Sequence, residues 1–222
     1  MDAYKILEIK QSVFENNDKQ ADLLRDSLRK DKVFLLNLMS SPGSGKTTTV
    51  LRTIEALKDE MSIGVLEADI DSDVDAHTVS TTGTKVIQLH SGGMCHLTAE
   101  MTRQGLVGMG TKGLDFVILE NIGNLICTAE ADTGASRNAM ILSVPEGDDK
   151  PLKYPLMFSM VDVLLINKID AMSLFDFDIE AVRERVTKMN PRIRIIPISA
   201  RTGEGIQEWA DWLRQEIREW KR

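Results

Sequence analysis

No apolar stretch in this 222-residue chain approaches the ~20 residues a helix needs to cross a bilayer, so no membrane span is expected. The opening segment, MDAYKILEIKQSVFENNDKQ, mixes both charge signs from the start. That is not the basic-then-apolar layout of a signal peptide, and the expected location is cytoplasmic. Basic blocks are missing as well. Lys and Arg total 27 against 34 Asp and Glu, for a net charge of -7. Binding to a phosphate backbone rests largely on Lys and Arg; with no basic run and no aromatic-basic interleaving, nucleic acid is not expected as a partner. Cysteine is scarce, Cys95 and Cys127 only, and in a cytosolic chain such a pair suggests free thiols, metal ligands or catalysis before a disulfide. There is no internal repeat, low-complexity tract or clear linker.

What is present is enough apolar content, 42%, to fill one sizeable core. Apolar runs of β-branched character occur at Val33–Met39, Ile63–Leu66, Val86–Leu89, Phe116–Leu119, Met140–Val144, Val161–Ile166 and Ile193–Ile198. Most are near-continuous, as in strands buried on both faces of a parallel sheet. Between them, Thr47–Lys58, Leu97–Met109, Ile179–Met189 and Gly205–Trp220 show helical spacing. This alternation predicts an α/β fold, a three-layer sandwich around a mostly parallel sheet. Ahead of it, Tyr4–Lys30 reads as one or two amphipathic helices with Ile6, Leu7, Val13, Phe14, Leu23, Leu24 and Leu28 on apolar faces. The expected organisation is an N-terminal helical arm over residues 1–30 and a single compact α/β domain over 31–222.

Directly after the first strand of that domain comes Ser40-Ser41-Pro42-Gly43-Ser44-Gly45-Lys46-Thr47, then Thr48 and a helical stretch. This is a phosphate-binding loop in its strand–loop–helix context. Gly43 and Gly45 let backbone N–H groups turn inward around Ser44 and cradle phosphate oxygens at a helix N-terminus, whose partial positive charge favours an anion. Lys46 is expected to reach the β- and γ-phosphates and the Thr47 hydroxyl to coordinate Mg²⁺. Ser40 stands where the generic motif has its first glycine.

Asn167-Lys168-Ile169-Asp170 follows the apolar run Val161–Ile166, at the strand end where ligands bind in such sheets. The Asp170 carboxylate can accept two hydrogen bonds, matching the ring N–H and exocyclic amine of guanine, donors that adenine lacks there. An unpaired buried acceptor is costly, and such a site rejects the wrong base by roughly 10⁴-fold. With Ser199-Ala200 after the final strand, the tetrapeptide selects GTP or GDP. Glu120, in Glu120-Asn121-Ile122-Gly123, closes the run Phe116–Leu119 and is placed to hold Mg²⁺ directly or through water; Gly123 has the form of a switch position. The acidic segment Asp69-Ile70-Asp71-Ser72-Asp73-Val74-Asp75 is not a calcium loop, because its sixth residue is Val74 and its twelfth Ser80. It reads as a mobile loop in which Asp69 and Asp75 gather around Mg²⁺ and GTP.

Both cysteines, and His96 beside Cys95, fall in loops expected at the nucleotide-facing edge. Thiolate and imidazole suit Zn²⁺ or Ni²⁺ rather than Mg²⁺. Three protein ligands leave a tetrahedral shell open, to be completed by a second copy of the chain or an exogenous ligand.

From about Val33 to Trp212 the sequence resembles the hydrogenase nickel-incorporation GTPases, the HypB family of P-loop NTPases (SIMIBI class). The resemblance rests on Asn37 to Thr48, on Gly92-Gly93-Met94-Cys95-His96-Leu97, on Glu120 to Cys127, on Glu146 to Pro155 and on Ser199 to Gly205. The family also carries serine at position 40. The resemblance implies a slow GTPase that dimerises on binding GTP and helps place nickel in [NiFe]-hydrogenase, working with a nickel-binding accessory protein and the hydrogenase large subunit. It implies Cys95, His96 and Cys127 as metal ligands at the dimer interface, with Asp69, Asp75 and Glu120 as switch acids near Mg²⁺. Two departures stand out. The N-terminus has no Cys or His for nickel storage, and Thr128 replaces a proline common after the third ligand.

Other readings differ at definite residues. The urease-maturation GTPases carry a Cys-Pro-His motif, whereas Cys95 and His96 are adjacent. A regulatory GTPase switch with structural cysteines would carry no metal. A small-molecule kinase fits poorly with a base-selecting Asn-Lys-x-Asp and no evident acceptor pocket. No glutamine or arginine is conspicuous as a transition-state residue.

Overall fold

The long apolar runs become strands because their alternate residues are buried on opposite faces of one sheet. In the central strand Phe34, Leu36 and Leu38 join one core cluster, while Leu35 and Met39 join the clusters on the other side. The computed structural model describes residues 5–8, 17–69 and 73–222. Its strands are β1 (Lys5–Glu8), β2 (Phe34–Ser40), β3 (Ile63–Asp69), β4 (Lys85–His90), β5 (Phe116–Glu120), β6 (Arg137–Ser143), β7 (Val163–Asn167) and β8 (Arg194–Pro197). The helices are α1 (Asn17–Asp31), α2 (Lys46–Leu57), α3 (Val74–Ser80), α4 (Ala99–Met109), α5 (Cys127–Glu130), α6 (Lys150–Lys153), α7 (Pro155–Met160), α8 (Ile179–Met189) and α9 (Ile206–Trp220).

The strands lie in the order β1-β4-β3-β5-β2-β6-β7-β8, and every pairing among the described residues is parallel. Helices α2, α3 and α9 cover one face, where Ile54, Val79 and the fully buried Trp209 meet the sheet. Helices α1 and α4 cover one half of the other face, and α7 and α8 the rest. Three layers and a parallel sheet are as the apolar pattern predicts. After β2 the chain adds β3, β4 and β5 on one side of it and then β6, β7 and β8 on the other, so it reverses its winding at β2. Ligands bind beyond the carboxyl ends of the strands at such a reversal, and that is where Ser40–Thr47 lies.

The N-terminal segment differs from expectation. Lys5–Glu8 is a strand, not helix, pairing with β4 from Lys5↔Ile87 to Glu8↔His90. Over so short a span the adjacent apolar residues Ile6 and Leu7 suit an edge strand as well as a helix. Val13 and Phe14 lie outside the described residues. In α1 the buried stripe is Ala21, Leu24 and Leu28, whereas Leu23, one step round the helix, is 69% exposed.

Candidate functional site

The loop between β2 and α2 owes its shape to glycine. Gly43 (φ 74°) and Gly45 (φ 99°) occupy the left-handed region, where a side chain is strained. Gly45 also has no room for one: a Cβ there would sit 2.5 Å from Asn167 Nδ2. No side chain caps α2 at Gly45, so the first N–H groups of the helix, which have no intrahelical partners, face an incoming anion. Ser40 is an active substitute for glycine. Its hydroxyl accepts from Ser44 Oγ at 2.6 Å and Lys46 Nζ at 3.2 Å, and donates to the Ser41 carbonyl at 2.7 Å. Thr48 is exposed on the first turn of α2.

The residues expected to read the base lie beside this loop, at the ends of β7 and β8. Asn167 is 1% exposed and is a bracket between three segments. Its Nδ2 donates to the Ser44 carbonyl at 2.9 Å, while Oδ1 accepts from the Lys168 N–H at 2.8 Å and the Ala200 N–H at 3.0 Å. Lys168, with φ 64°, donates from Nζ to the Gly43 carbonyl at 2.7 Å. Asp170 Oδ1 accepts from Ser199 Oγ at 2.6 Å, and its other oxygen is 3.9 Å from the Arg201 guanidinium, with the carboxylate side chain 22% exposed. The sequence leads one to expect Asn167, Ser199 and Ala200 on the nucleotide; the structure adds that Asn167 ties Ala200 to the phosphate loop, while Ser199 holds Asp170.

On the other side of the loop, Glu120 at the end of β5 accepts from Thr47 Oγ1 at 2.9 Å. Glu120 pairs in register with Glu67 on β3, and Glu67 with Gln88 on β4. Side chains in register share a face, so the two acids converge. Among the described residues, Glu67, Asp75 and Glu120 form the group whose ligand atoms all lie within 4.8 Å. Glu67 Oε2 and Glu120 Oε2 are buried with no hydrogen-bond partner. Burial first, then the Glu120 charge, pushes Glu67 well above the ordinary carboxylate range; burial raises Glu120 too. An all-oxygen set of two buried acids and the exposed Asp75 beside a threonine hydroxyl suits a hard divalent cation such as Mg²⁺.

Two expectations change here. Glu67 joins Asp75 and Glu120 in that group, and Asp69 does not; Asp69 ends β3 in register with His90. Glu67 was legible only as an acid closing the run Ile63–Leu66, on the same strand face as Asp69. Residues 70–72 of the acidic segment lie outside the described residues, and Asp75 belongs to the first turn of α3 rather than to a loop. Gln88, fully buried with both amide atoms unpartnered, carries no signal of this in the sequence.

Beyond Glu120 the chain runs back across the phosphate loop. Asn121 Nδ2 donates to Asn37 Oδ1, and Asn37 Nδ2 to Asn138 Oδ1, both at 2.9 Å, tying β5, β2 and β6 through side-chain amides. A Cβ on Gly123 would lie 3.1 Å from Pro42 N. Asn124 Oδ1 accepts from the Ile126 N–H at 2.8 Å and the Cys127 N–H at 2.9 Å, starting α5. Thr128 is fully buried and donates to the Asn124 carbonyl, holding the turn where the family commonly has proline. Cys127 comes within hydrogen-bonding reach of Cys95, and that contact, with burial behind it, raises the Cys95 thiol above its ordinary value. Cys95 Sγ is 3.7 Å from His96 Nδ1. The three predicted ligands are thus brought into one neighbourhood, although not into a closed trio as the acids are.

A family profile described as "CobW/HypB/UreG, nucleotide-binding domain" matches residues 34–197. The hydrogenase maturation factor HypB of Azotobacter vinelandii is 41% identical over 212 residues, covering 96% of this chain and 70% of that protein. The hydrogenase/urease maturation factor HypB of Helicobacter hepaticus is 37% identical, covering 96% and 88%. Among solved structures, HypB from Helicobacter pylori in complex with nickel aligns with a TM-score of 0.85 at 37% identity, over 91% of this chain and 95% of that one. HypB from Archaeoglobus fulgidus aligns at 0.84 and 35%, over 90% and 98%.

Proposed function

This chain belongs to the HypB family of hydrogenase maturation factors, within the CobW/HypB/UreG nucleotide-binding group, and on that premise we propose that it is a GTP-hydrolysing metal chaperone that delivers nickel to [NiFe]-hydrogenase. The observation that carries the reading is the physical continuity of two sites. Glu120 touches Thr47 of the phosphate loop, Gly123 packs on Pro42, and Asn124 holds the N–H of Cys127.

The nucleotide chemistry follows from the residues in place. The N–H groups leading α2 bind the phosphates, and Lys46 exchanges the Ser40 hydroxyl for phosphate oxygen. Asp170, oriented by Ser199, accepts the two guanine donors. Thr47 and Glu120 would hold Mg²⁺, with Glu67 and Asp75 completing the acidic surround. The cation, when bound, neutralises charge on the β- and γ-phosphate oxygens. Lys46 adds a preorganised positive charge where hydrolysis develops negative charge.

Nickel is cargo, not cofactor. Cys95, His96 and Cys127 supply the soft donors it prefers, as Zn²⁺ also does. Three ligands from each of two chains form a shared site in a dimer that assembles on GTP. Because Gly123 and Asn124 tie Cys127 to the phosphate loop, the γ-phosphate biases metal affinity, and linkage makes the effect mutual. A nickel-binding accessory protein supplies the ion, the hydrogenase large subunit receives it, and the work takes place in the cytoplasm. Since the Helicobacter hepaticus relative is a hydrogenase/urease maturation factor, urease is the alternative recipient.

The test is Ni²⁺ and Zn²⁺ affinity, with solution mass, in the GDP state and with a non-hydrolysable GTP analogue. The expectation is an affinity change of about 5–150-fold between states and a dimer with the analogue. Cys95→Ala and Cys127→Ala should each abolish tight binding while hydrolysis persists. Equal affinities in both states would end nucleotide-gated transfer. A double cysteine variant with full metal content would put the metal site elsewhere, and a parent chain with no metal would leave a plain GTPase switch.

A further inference from the structure

The ends of β4 and β5, which lead to Cys95 and to Cys127, are not neighbours; β3 lies between them. At about 4.8 Å per strand spacing, the two segments start roughly 10 Å apart, and the sheet itself does not set the distance between the thiols. We propose that helix α1 sets it, with Asn17 as the positioning residue that pins both metal-ligand segments to one point. The proposal rests on the assignment of Cys95, His96 and Cys127 as the nickel site.

The Asn17 carboxamide uses both its ends. Its Oδ1 accepts from the Ala99 N–H at 2.9 Å, and its Nδ2 donates to the Asp132 carbonyl at 2.8 Å. Ala99 begins α4, three residues beyond His96; Asp132 lies five residues beyond Cys127. The Ala99 N–H is one of the donors a helix leaves without an internal partner. Ala99 is 1% exposed, so water is a poor substitute for Asn17 there. Two turns along α1, Arg25 donates to both Asp132 oxygens, at 2.9 and 2.7 Å, the two-pronged geometry that gives direction as well as strength. Asp132 Oδ1 also accepts from the Gly134 N–H at 2.8 Å. Leu24 packs on Gly134 so closely that a Cβ there would meet Leu24 Cδ2 at 2.8 Å. Three residues of α1 thus grip the stretch after Cys127, and one of them also holds the start of α4. The contacts reach neither the phosphate loop nor Asp170.

The experiment compares the full chain with Asn17→Ala, Asn17→Asp and Arg25→Ala. Each is titrated with Ni²⁺ while the thiolate-to-nickel charge-transfer band is recorded. GDP affinity and melting temperature are measured in parallel. Partners that orient metal ligands typically matter by 10–100-fold in affinity, and Asn17→Ala should weaken nickel binding by about that factor, diminish the band and leave GDP affinity at the parental value. Asn17→Asp keeps the acceptor for Ala99 but loses the donor to Asp132, so its loss should be intermediate. Arg25→Ala leaves the start of α1 intact and repeats the effect if Asn17→Ala folds poorly. Parental nickel affinity and band in these variants would overturn the inference while leaving the nickel site standing. Parallel losses of nickel and GDP affinity would overturn it by showing general destabilisation. A parent chain with no thiolate band would remove the nickel site and the inference together.

Discussion

Replacing Asn167 with alanine separates architecture from ligand contact. This side chain makes three hydrogen bonds, to Ser44, Lys168 and Ala200. Ser44 and Ala200 are buried, whereas Lys168 is half-buried, so water can recover only the last. A buried group stripped of its partner costs about 1–3 kcal/mol; two such groups put the loss near ~3 kcal/mol. For a domain of this size 1 kcal/mol moves the melting temperature by about 2–4 °C, so a fall of roughly 6–12 °C is expected. The assay is calorimetry without nucleotide, in EDTA. Asn167→Asp retains the acceptor for both N–H groups, loses the donor to Ser44 and should fall in between. If Asn167 served only to touch the base, removing it would leave the melting temperature of the empty protein unchanged. A fall below about 2 °C, under 1 kcal/mol on this scale, would refute the bracket.

Two further predictions concern residues on either side of the phosphate loop. A carboxyl raised in the folded state contributes stability that is complete below its ordinary value of 4.5 and is lost as pH rises through the folded value. Metal-free parent protein should therefore lose stability relative to Glu67→Gln as pH climbs above 4.5, and Mg²⁺ should shrink the gap. Urea unfolding of both proteins across pH, with and without Mg²⁺, measures this; a pH-independent gap would contradict the shared burial of Glu67 and Glu120. Asp170→Asn replaces a pure acceptor with a group that also donates. GTP affinity should drop by at least ~2 kcal/mol while xanthosine triphosphate becomes a usable ligand, and an unchanged GTP titration would remove Asp170 from the base site.

The order of elements along the chain is enough to nominate a nucleotide site. Ser40–Thr47 is contiguous, and its function needs only a strand before it and a helix after it. Asn167–Asp170 likewise announces itself at the end of an apolar run. The buried strands were legible because they are apolar on both faces, although the edges shifted: the run Met140–Val144 belongs to a strand that begins at Arg137. The N-terminal strand was not legible, because a four-residue edge strand carries too few residues to show either period.

Residues whose partners lie on other strands depended on tertiary structure. Nothing local distinguishes Glu67 from Asp69 as a cation ligand, two acids two residues apart on one strand face; the register of β3 against β5 sets Glu67 beside Glu120. Asn167 reads as a base contact, and only the approach of β7 and β8 to the phosphate loop makes it a bracket. The meeting of Cys95 with Cys127 requires two loops to bend over an intervening strand. Sequence alone specified the chemistry available, because residue type sets charge, donor count and softness. Which of those groups meet was decided by strand order, register and the packing of α1, since these are set by burial of apolar surface far from the groups themselves.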